Sequence, residues 1–393
     1  MISLENTRVA FKGKSTSELR KAEMLFVLVK KPVLVKSGSF LLNIANKIHF
    51  PLRWALKPTV FSHFCGGETL EECTATITRF SESGVKAVLD YAAEGVQKEE
   101  EFDEACDRIL ATIELSQTNP GIGFAVFKFT GIARFALLEK YGANEKLNEK
   151  EVQELERIKK RADEICNAAK NANISVMIDA EETWIQNAID RIVEELMEKH
   201  NRDTHVVYHT LQMYRVDKLS YLKEIHKEAQ IKGYLPAFKL VRGAYMEKER
   251  ERAEEMNYAS PIHPDKPSTD AAFDDAVKFC LENIGQISLC IGTHNEQSSI
   301  KAAEYMHANN MKPDHENIHF SQLMGMSDHI SFNLARAGYN VSKYLPYGPI
   351  RLVMPYLIRR AEENTSVAGQ TGRELFLIKK ELRRRKQEKR KAS

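Results

Sequence analysis

Two adjacent arginines, Arg359 and Arg360, are the residues of this chain best suited to chemistry. They fall in Tyr356-Leu357-Ile358-Arg359-Arg360-Ala361-Glu362-Glu363-Asn364, on an expected helix after a tyrosine-rich turn, Tyr344-Leu345-Pro346-Tyr347-Gly348. A guanidinium is always charged and presents a rigid fork of donors that matches a carboxylate. Neighbours on a helix point about 100° apart, so both forks can face one cavity. The pair is either a solvated basic helix face or a clamp for a small acid, flanked by aromatic rings. Its place on a proline-started helix (Pro355), directly after the last strand-like run, favours the clamp.

Other candidates fall at the ends of apolar runs. Lys128 in Phe127-Lys128-Phe129 is a Schiff-base nucleophile, a fixed positive charge, or a strand-end lysine reaching solvent. Asp179, which follows Val176-Met177-Ile178, can hold Lys128 in a buried ion pair or cap the next helix. Thr293-His294-Asn295 offers a hydroxyl, an imidazole and an amide to a phosphate or ribose, or simply caps a helix over residues 298–305. Lys239-Leu240-Val241-Arg242-Gly243 supplies two cations. Strand alternation sends them to opposite faces, so both reach one site only if the chain turns at Gly243. A cation alone in a packed interior is costly, so Lys239 needs an anionic neighbour, such as a cofactor pyrophosphate or an electron-rich ring. His205, His209 and His294 form no recognisable ligand set, and no metal is expected.

These residues need a scaffold that gathers strand ends. From about residue 85 onward, short β-branched runs alternate with charged amphipathic stretches. The runs are 87–91, 124–129, 175–178, 205–209, 237–241, 287–291, 317–320 and 339–341; the stretches between include 99–115, 149–171 and 183–199. The alternation predicts an α/β protein with a parallel sheet and helical crossovers, and the repeat fits a (β/α)8 TIM-type barrel. The runs end, in order, at Asp90, Lys128, Asp179, Gln212, Lys239 with Arg242, Thr293 with His294, Gln322, and Tyr344. A barrel builds its active site at the C-terminal ends of its strands, so a ring of these residues is expected there. Residues 1–60 read as an N-terminal helical arm, 61–378 as the barrel, and 379–393 as a basic C-terminal tail.

Composition narrows the class. A net charge of +2 gives no general pull toward nucleic acid. The six cysteines (Cys65, Cys73, Cys106, Cys166, Cys280, Cys290) form no CxxC pair and read as reduced thiols of an intracellular protein. The start, Met1-Ile2-Ser3-Leu4, has no signal pattern. The apolar region from Met24 to Leu42 is broken by Lys30, Lys31 and Lys36, too often to span a bilayer. Gly121-Ile122-Gly123 lacks a third glycine and precedes a strand, so no Rossmann nucleotide site is expected. No phosphate loop, HExxH or calcium loop occurs.

Taken together, the motifs resemble the proline dehydrogenase family over residues 60–375. The resemblance rests on His63-Phe64-Cys65-Gly66-Gly67-Glu68, Phe127-Lys128-Phe129-Thr130, Asp179-Ala180-Glu181, Leu240-Val241-Arg242-Gly243-Ala244-Tyr245, Gly292-Thr293-His294-Asn295, Gln322-Leu323-Met324-Gly325-Met326, and the Tyr344 and Tyr356 stretches already quoted, in the family's order. It implies a distorted (β/α)8 barrel that holds FAD at its strand ends and oxidises L-proline to Δ1-pyrroline-5-carboxylate. Arg359 and Arg360 would bind the substrate carboxylate beside Lys128, which Asp179 orders. Tyr344 and Tyr356 would pack on the pyrrolidine ring. Lys239 would touch the flavin near its reactive nitrogen, and Gln212 its pyrimidine edge. Thr293, His294, Gln322 and Glu363 would hold the rest of FAD, with Arg242 and Gly243 shaping the same turn. The family passes its electrons to a membrane quinone, and the basic tail is then either a patch for anionic lipid or a solvated helix end. A cytoplasmic protein, peripheral on the inner face of the cell membrane, follows, with a separate pyrroline-5-carboxylate dehydrogenase downstream.

The sequence departs from the family in two places. Lys239 stands where many members have arginine, and Met246 where several have tryptophan. Three other functions fit parts of the pattern. Methylenetetrahydrofolate reductase shares the flavin barrel but leaves the arginine pair without a role. A Schiff-base aldolase would centre on Lys128. A non-catalytic barrel docked on membrane would bind no flavin.

Overall fold

The structure, a computed structural model, describes residues 3–29, 56–92, 96–366 and 370–392. The chain forms two compact units. One comprises Val88–Tyr91 and Gly95–Ser321; the other comprises Met1–Ala87, Ala92–Glu94 and Gln322–Ser393.

The expected barrel is present. β1 (Val85–Tyr91), β2 (Ile122–Phe127), β3 (Ser175–Ile178), β4 (Val207–Gln212), β5 (Ala237–Val241), β6 (Ser288–Gly292), β7 (Ile318–Leu323) and β8 (Val341–Tyr347) close in sequence order. Pairing is parallel, with Phe127 opposite Ile178, Ile178 opposite His209, Thr210 opposite Lys239 and Lys239 opposite Cys290. Every residue of β4 is buried, because a barrel strand has the interior on one face and helices on the other. That is why such strands read as continuous apolar runs.

The crossover helices carry clear local signals. Glu149–Asn171 begins at Asn148, whose side chain accepts the Glu151 N–H at 3.0 Å while Glu151 accepts the Asn148 N–H at 2.8 Å. This reciprocal cap satisfies two donors that have no partner inside the helix. Leu155, Ile158, Ala162, Ile165, Cys166 and Ala169 then make its buried stripe.

Three local expectations need correction. The stretch from Tyr344 to Tyr347 is not a turn but the end of β8; the turn comes at Gly348, with φ +140°. Pro346 fits the strand because its carbonyl still accepts the Gly66 N–H at 2.9 Å, and the Tyr347 carbonyl accepts that of Ala92 at 3.0 Å. The following helix, Ile350–Ser366, does not start at Pro355 but contains it. Pro349 starts it instead, its carbonyl accepting the N–H groups of Leu352 and Val353. The fourth strand begins at Val207, past His205.

In the unit holding both chain ends, the helix Thr16–Val29 packs on the helix Gln370–Ala392 through Leu19, Ala22, Phe26, Leu375, Leu377 and Ile378. Residues 379–392 are thus the second half of a packed helix. Glu381, fully buried, accepts Thr7 Oγ1 at 3.0 Å and Arg385 Nε at 2.8 Å. Arg385 in turn donates to the carbonyls of Phe11 and Lys14, both at 2.8 Å. The arm expected over residues 1–60 is described to Val29; residues 30–55, with Pro32 and Pro51, lie outside the described residues. Among the described residues no helix is long and apolar enough to cross a membrane, and the six cysteines are buried and unbridged.

Candidate active site

At the ends of β1, β2 and β3, reached from the middle of β5 by Lys239, lies a chain of alternating charges. Lys128 Nζ donates to Asp179 Oδ2 at 2.7 Å and to Asp90 Oδ2 at 3.2 Å, and Lys239 pairs with the other oxygen of Asp179. The sequence suggests these four separately; the fold joins them. Lys128 stands one residue past β2 in extended backbone, starting the short helix Phe129–Ile132. Asp179 is not a helix cap: the next helix, Thr183–His200, is preceded by Glu182. Burial pushes the Asp179 carboxyl up, but Lys128 and Lys239 outweigh it and hold it well below the usual carboxylate range. The two ammonium groups thus share one carboxylate at a site with little access to water.

Arg242 and Lys239 diverge, as strand alternation demands. Arg242 Nε donates to Asp270 Oδ1 at 2.6 Å, Nη1 to Thr293 Oγ1 at 2.6 Å and Nη2 to Ser298 Oγ at 2.9 Å, and the guanidinium lies 4.3 Å from the Phe273 ring centroid. It ties the turn after β5 to the turn after β6. Gly243 makes that turn with φ +137°, and a Cβ there would lie 2.6 Å from the Tyr214 ring. Gln212 sits beneath the turn, accepting the Ala244 N–H at 3.1 Å and donating to the Glu181 carbonyl at 2.7 Å. Thr293 Oγ1 also accepts the Asn295 N–H at 3.0 Å, and Asn295 caps the helix Glu296–Ala308, so the capping role of this turn is real. His294 is half-buried beside it.

The remaining candidates belong to the other unit. Arg360 is buried, its guanidinium 5.3 Å from the Tyr356 ring centroid, and Arg359 is half-buried. A solvated basic face is therefore not what this helix presents. Tyr356 packs in a cluster with Phe61, Phe64 and Val353. Tyr344 is buried on β8, its carbonyl accepting the Met324 N–H at 2.9 Å. Gln322, at the end of β7, accepts Ser331 Oγ at 2.7 Å. The side chain of Glu363 lies outside the described residues.

Two carboxylates escaped the sequence reasoning. Glu181 is buried and accepts both the N–H and hydroxyl of Thr130. Burial first, then neighbouring Glu182, raises its carboxyl to about 8, against the opposing pull of Thr130. The available signal was the acidic pair Glu181-Glu182, one residue past Asp179. Glu249 is fully buried and accepts Thr183 N at 2.8 Å and Thr183 Oγ1 at 2.6 Å, so it supplies the anion at the start of Thr183–His200. It sits in Met246–Glu255, a helix charged on nearly every side, where nothing marks one glutamate as inward.

Comparison with known proteins bears on the family and the fold. The family model for proline dehydrogenase matches residues 73–373. The chain is 35% identical to the carbapenem antibiotics biosynthesis protein CarD of Pectobacterium carotovorum subsp. carotovorum, over 94% of this chain and 92% of that protein. It is 30% identical to the mitochondrial proline dehydrogenase 1 of Dictyostelium discoideum, over 97% of this chain and 74% of that one. The fold is similar to that of proline utilization A from Bdellovibrio bacteriovorus, with a TM-score of 0.73 at 20% identity, covering 83% of this chain. The match spans 36% of that larger chain.

Proposed function

This chain belongs to the proline dehydrogenase family, oxidoreductases acting on CH–NH donors, and we propose that it oxidises L-proline to Δ1-pyrroline-5-carboxylate with FAD as cofactor and a quinone as final acceptor. The observation that carries this reading is the pair of buried ammonium groups, Lys128 and Lys239, locked on Asp179 at the strand ends. Fixed positive charge of this kind suits both a substrate carboxylate and an electron-rich ring.

The donor set fits FAD. Lys239 offers a charge for the ring, and Arg242, Thr293 and His294 cluster hydroxyl, guanidinium and imidazole groups beyond it at the ends of β5 and β6. FAD, when bound, supplies a hydride acceptor at flavin N5. Gln212 and Gly243 shape the turn that would hold the cofactor, and Gln322 and Glu363 would complete the set in this reading. In this reading Arg359 and Arg360 grip the proline carboxylate, Tyr344 and Tyr356 pack on the ring, and Lys128 is a further fixed positive charge for the substrate. Catalysis is then mainly positioning of the reacting carbon. Asp90 and Asp179 are both engaged with the Lys128 ammonium, and in this reading no dedicated strong base is needed for the substrate amine.

Exposed Lys380, Arg383, Lys386, Lys389 and Arg390 on the last helix suit peripheral contact with anionic lipid, from which a quinone is reached. We place the protein in the cytoplasm, at the inner face of the cell membrane, with a separate pyrroline-5-carboxylate dehydrogenase taking the product onward. Anaerobic titration of the flavin-loaded protein with L-proline tests the reading. Proline should bleach the flavin band and NADPH should not. Bleaching by NADPH alone would assign the barrel to folate chemistry instead, and borohydride trapping of a carbonyl substrate on Lys128 would assign it to an aldolase.

A further inference from the structure

The unit that carries both chain ends holds a cavity of about 490 Å3. Helix Thr16–Val29 forms one wall; residues 58–63, the end of helix Leu70–Ser81 and residues 324–332 form the others. A volume of this order suits a small organic ligand. Most of the lining is apolar, with Leu25, Pro58, Phe80 and Phe332 among it. Met24 and Leu28 also line it, and both are largely exposed, so an apolar tail leaving the cavity has a greasy path along the helix.

The polar residues of the lining are specific. Lys14 Nζ lies 2.6 Å from Asp328 Oδ2, and the other Asp328 oxygen lies 2.6 Å from the fully buried Lys343. Asp328 is thus fixed from behind, and the Lys14 ammonium, with three donors, keeps capacity for a ligand oxygen. His63 Nε2 lies 2.9 Å from the Gly325 carbonyl. A carbonyl only accepts, so Nε2 carries the hydrogen and Nδ1 is an acceptor. Burial lowers His63 to about 3, so the ring stays neutral. The hydroxyls of Thr59 and Ser62 are turned back to the Leu56 and Thr59 carbonyls, and Arg79 pairs with Glu18 at 3.2 Å. The lining therefore offers the Lys14 ammonium, fixed on Asp328, and one neutral nitrogen acceptor among mostly apolar walls, with a second lysine, Lys21, exposed at its edge.

We propose that this cavity binds the ring of the quinone, the acceptor of the reading above, on which the inference rests. A quinone presents carbonyl oxygens, which need a donor such as Lys14. Its reduced form presents hydroxyls, which also need an acceptor such as His63 Nδ1. A cavity that offers both suits either form, and the apolar walls suit the ring and the first part of its tail.

Calorimetric titration of the oxidised, flavin-loaded protein with a short-tailed ubiquinone provides the test, alongside anaerobic bleaching by L-proline. Two variants are compared: Thr59→Trp, which fills the space from an exposed position, and Lys14→Met, which removes the donor. Saturable 1:1 binding, weakened tenfold or more in Thr59→Trp with proline bleaching unchanged, is expected. Lys14→Met should weaken it similarly if it folds; Thr59→Trp decides the matter if it does not. Absence of saturable binding, an unchanged affinity in Thr59→Trp, or equal competition by dodecanol overturns the proposal. Quinone binding without bleaching by proline overturns the proposed oxidation instead.

Discussion

Lys128 and Lys239 stand on opposite oxygens of a single carboxylate, that of Asp179. Removing the carboxylate takes a shared anion away from two buried cations, of which Lys128 also pairs with Asp90. Asp179→Ala should cost about 3–5 kcal/mol in urea unfolding, the usual range for breaking a buried pair from one side. The folded pKa of Asp179 lies below its unfolded value. Its contribution is therefore present above about pH 4 and lost as acid protonates the folded form. Asp179→Asn should remove that part of the acid sensitivity, which a stability–pH series reads directly.

The arginine pair is separable from cofactor binding. Arg359→Ala or Arg360→Ala should raise KM for proline by about 10- to 100-fold, in line with about 1.5–3 kcal/mol for a hydrogen bond to a charged group. Flavin content should stay within a factor of about two. An equal loss of flavin and of proline affinity would sink the clamp.

Gly243 is irreplaceable for two reasons that act together: its φ of +137° and the Tyr214 ring 2.6 Å from any Cβ. Gly243→Ala should lose about 2–4 kcal/mol, the sum of backbone strain and overpacking. Gly243→Ala with Tyr214→Ala should recover the steric part but not the strain. Chemical unfolding of the two variants checks this.

Glu181 predicts the opposite pH dependence to Asp179. Its folded pKa is raised to about 8. Its stabilisation is full below the unfolded carboxyl value and is lost as pH rises through the folded one. Glu181→Gln, which stays neutral and can still accept from Thr130, should flatten the fall in stability between about pH 5 and 8 by a few kcal/mol. A fall as steep as in the parent protein would show that this carboxyl ionises freely.

The last helix allows a cleaner lipid test than truncation, because removing residues 379–393 also removes Glu381 and Arg385, which tie down Thr7, Phe11 and Lys14. Replacing exposed Lys386, Lys389 and Arg390 by glutamine leaves those bonds intact. Each cation near an anionic surface contributes about 1 kcal/mol, so the triple variant should bind phosphatidylserine vesicles at least about 100-fold more weakly. Sedimentation with vesicles, repeated at high salt, reads the change.

The barrel was legible because buried parallel strands leave apolar runs, as β2 and residues 176–178 of β3 do, and because the Asn148 cap marks its helix without ambiguity. The site was legible as a set of strand-end residues, but not as a network. Asp90, Lys128, Asp179 and Lys239 are joined only by register across strands, which spacing along one chain does not encode. Proline and glycine misled at β8: Pro346 and Gly348 are turn residues by type, yet the strand runs to Tyr347 because proline needs no donor at its end. Glu249 and Lys343 look like surface charges until the fold supplies Thr183 and Asp328.

Thr7 and Glu381 meet across 374 residues of sequence. At a synthesis rate of about 5–20 residues per second, the amino-terminal segment leaves the ribosome roughly 20–75 s before that partner exists. During this interval Phe11, Leu19 and Phe26 have no C-terminal helix to cover them. The nascent protein thus carries a sticky segment until the helix around Glu381 emerges, and a chaperone that shields it over that window should raise the yield of folded enzyme.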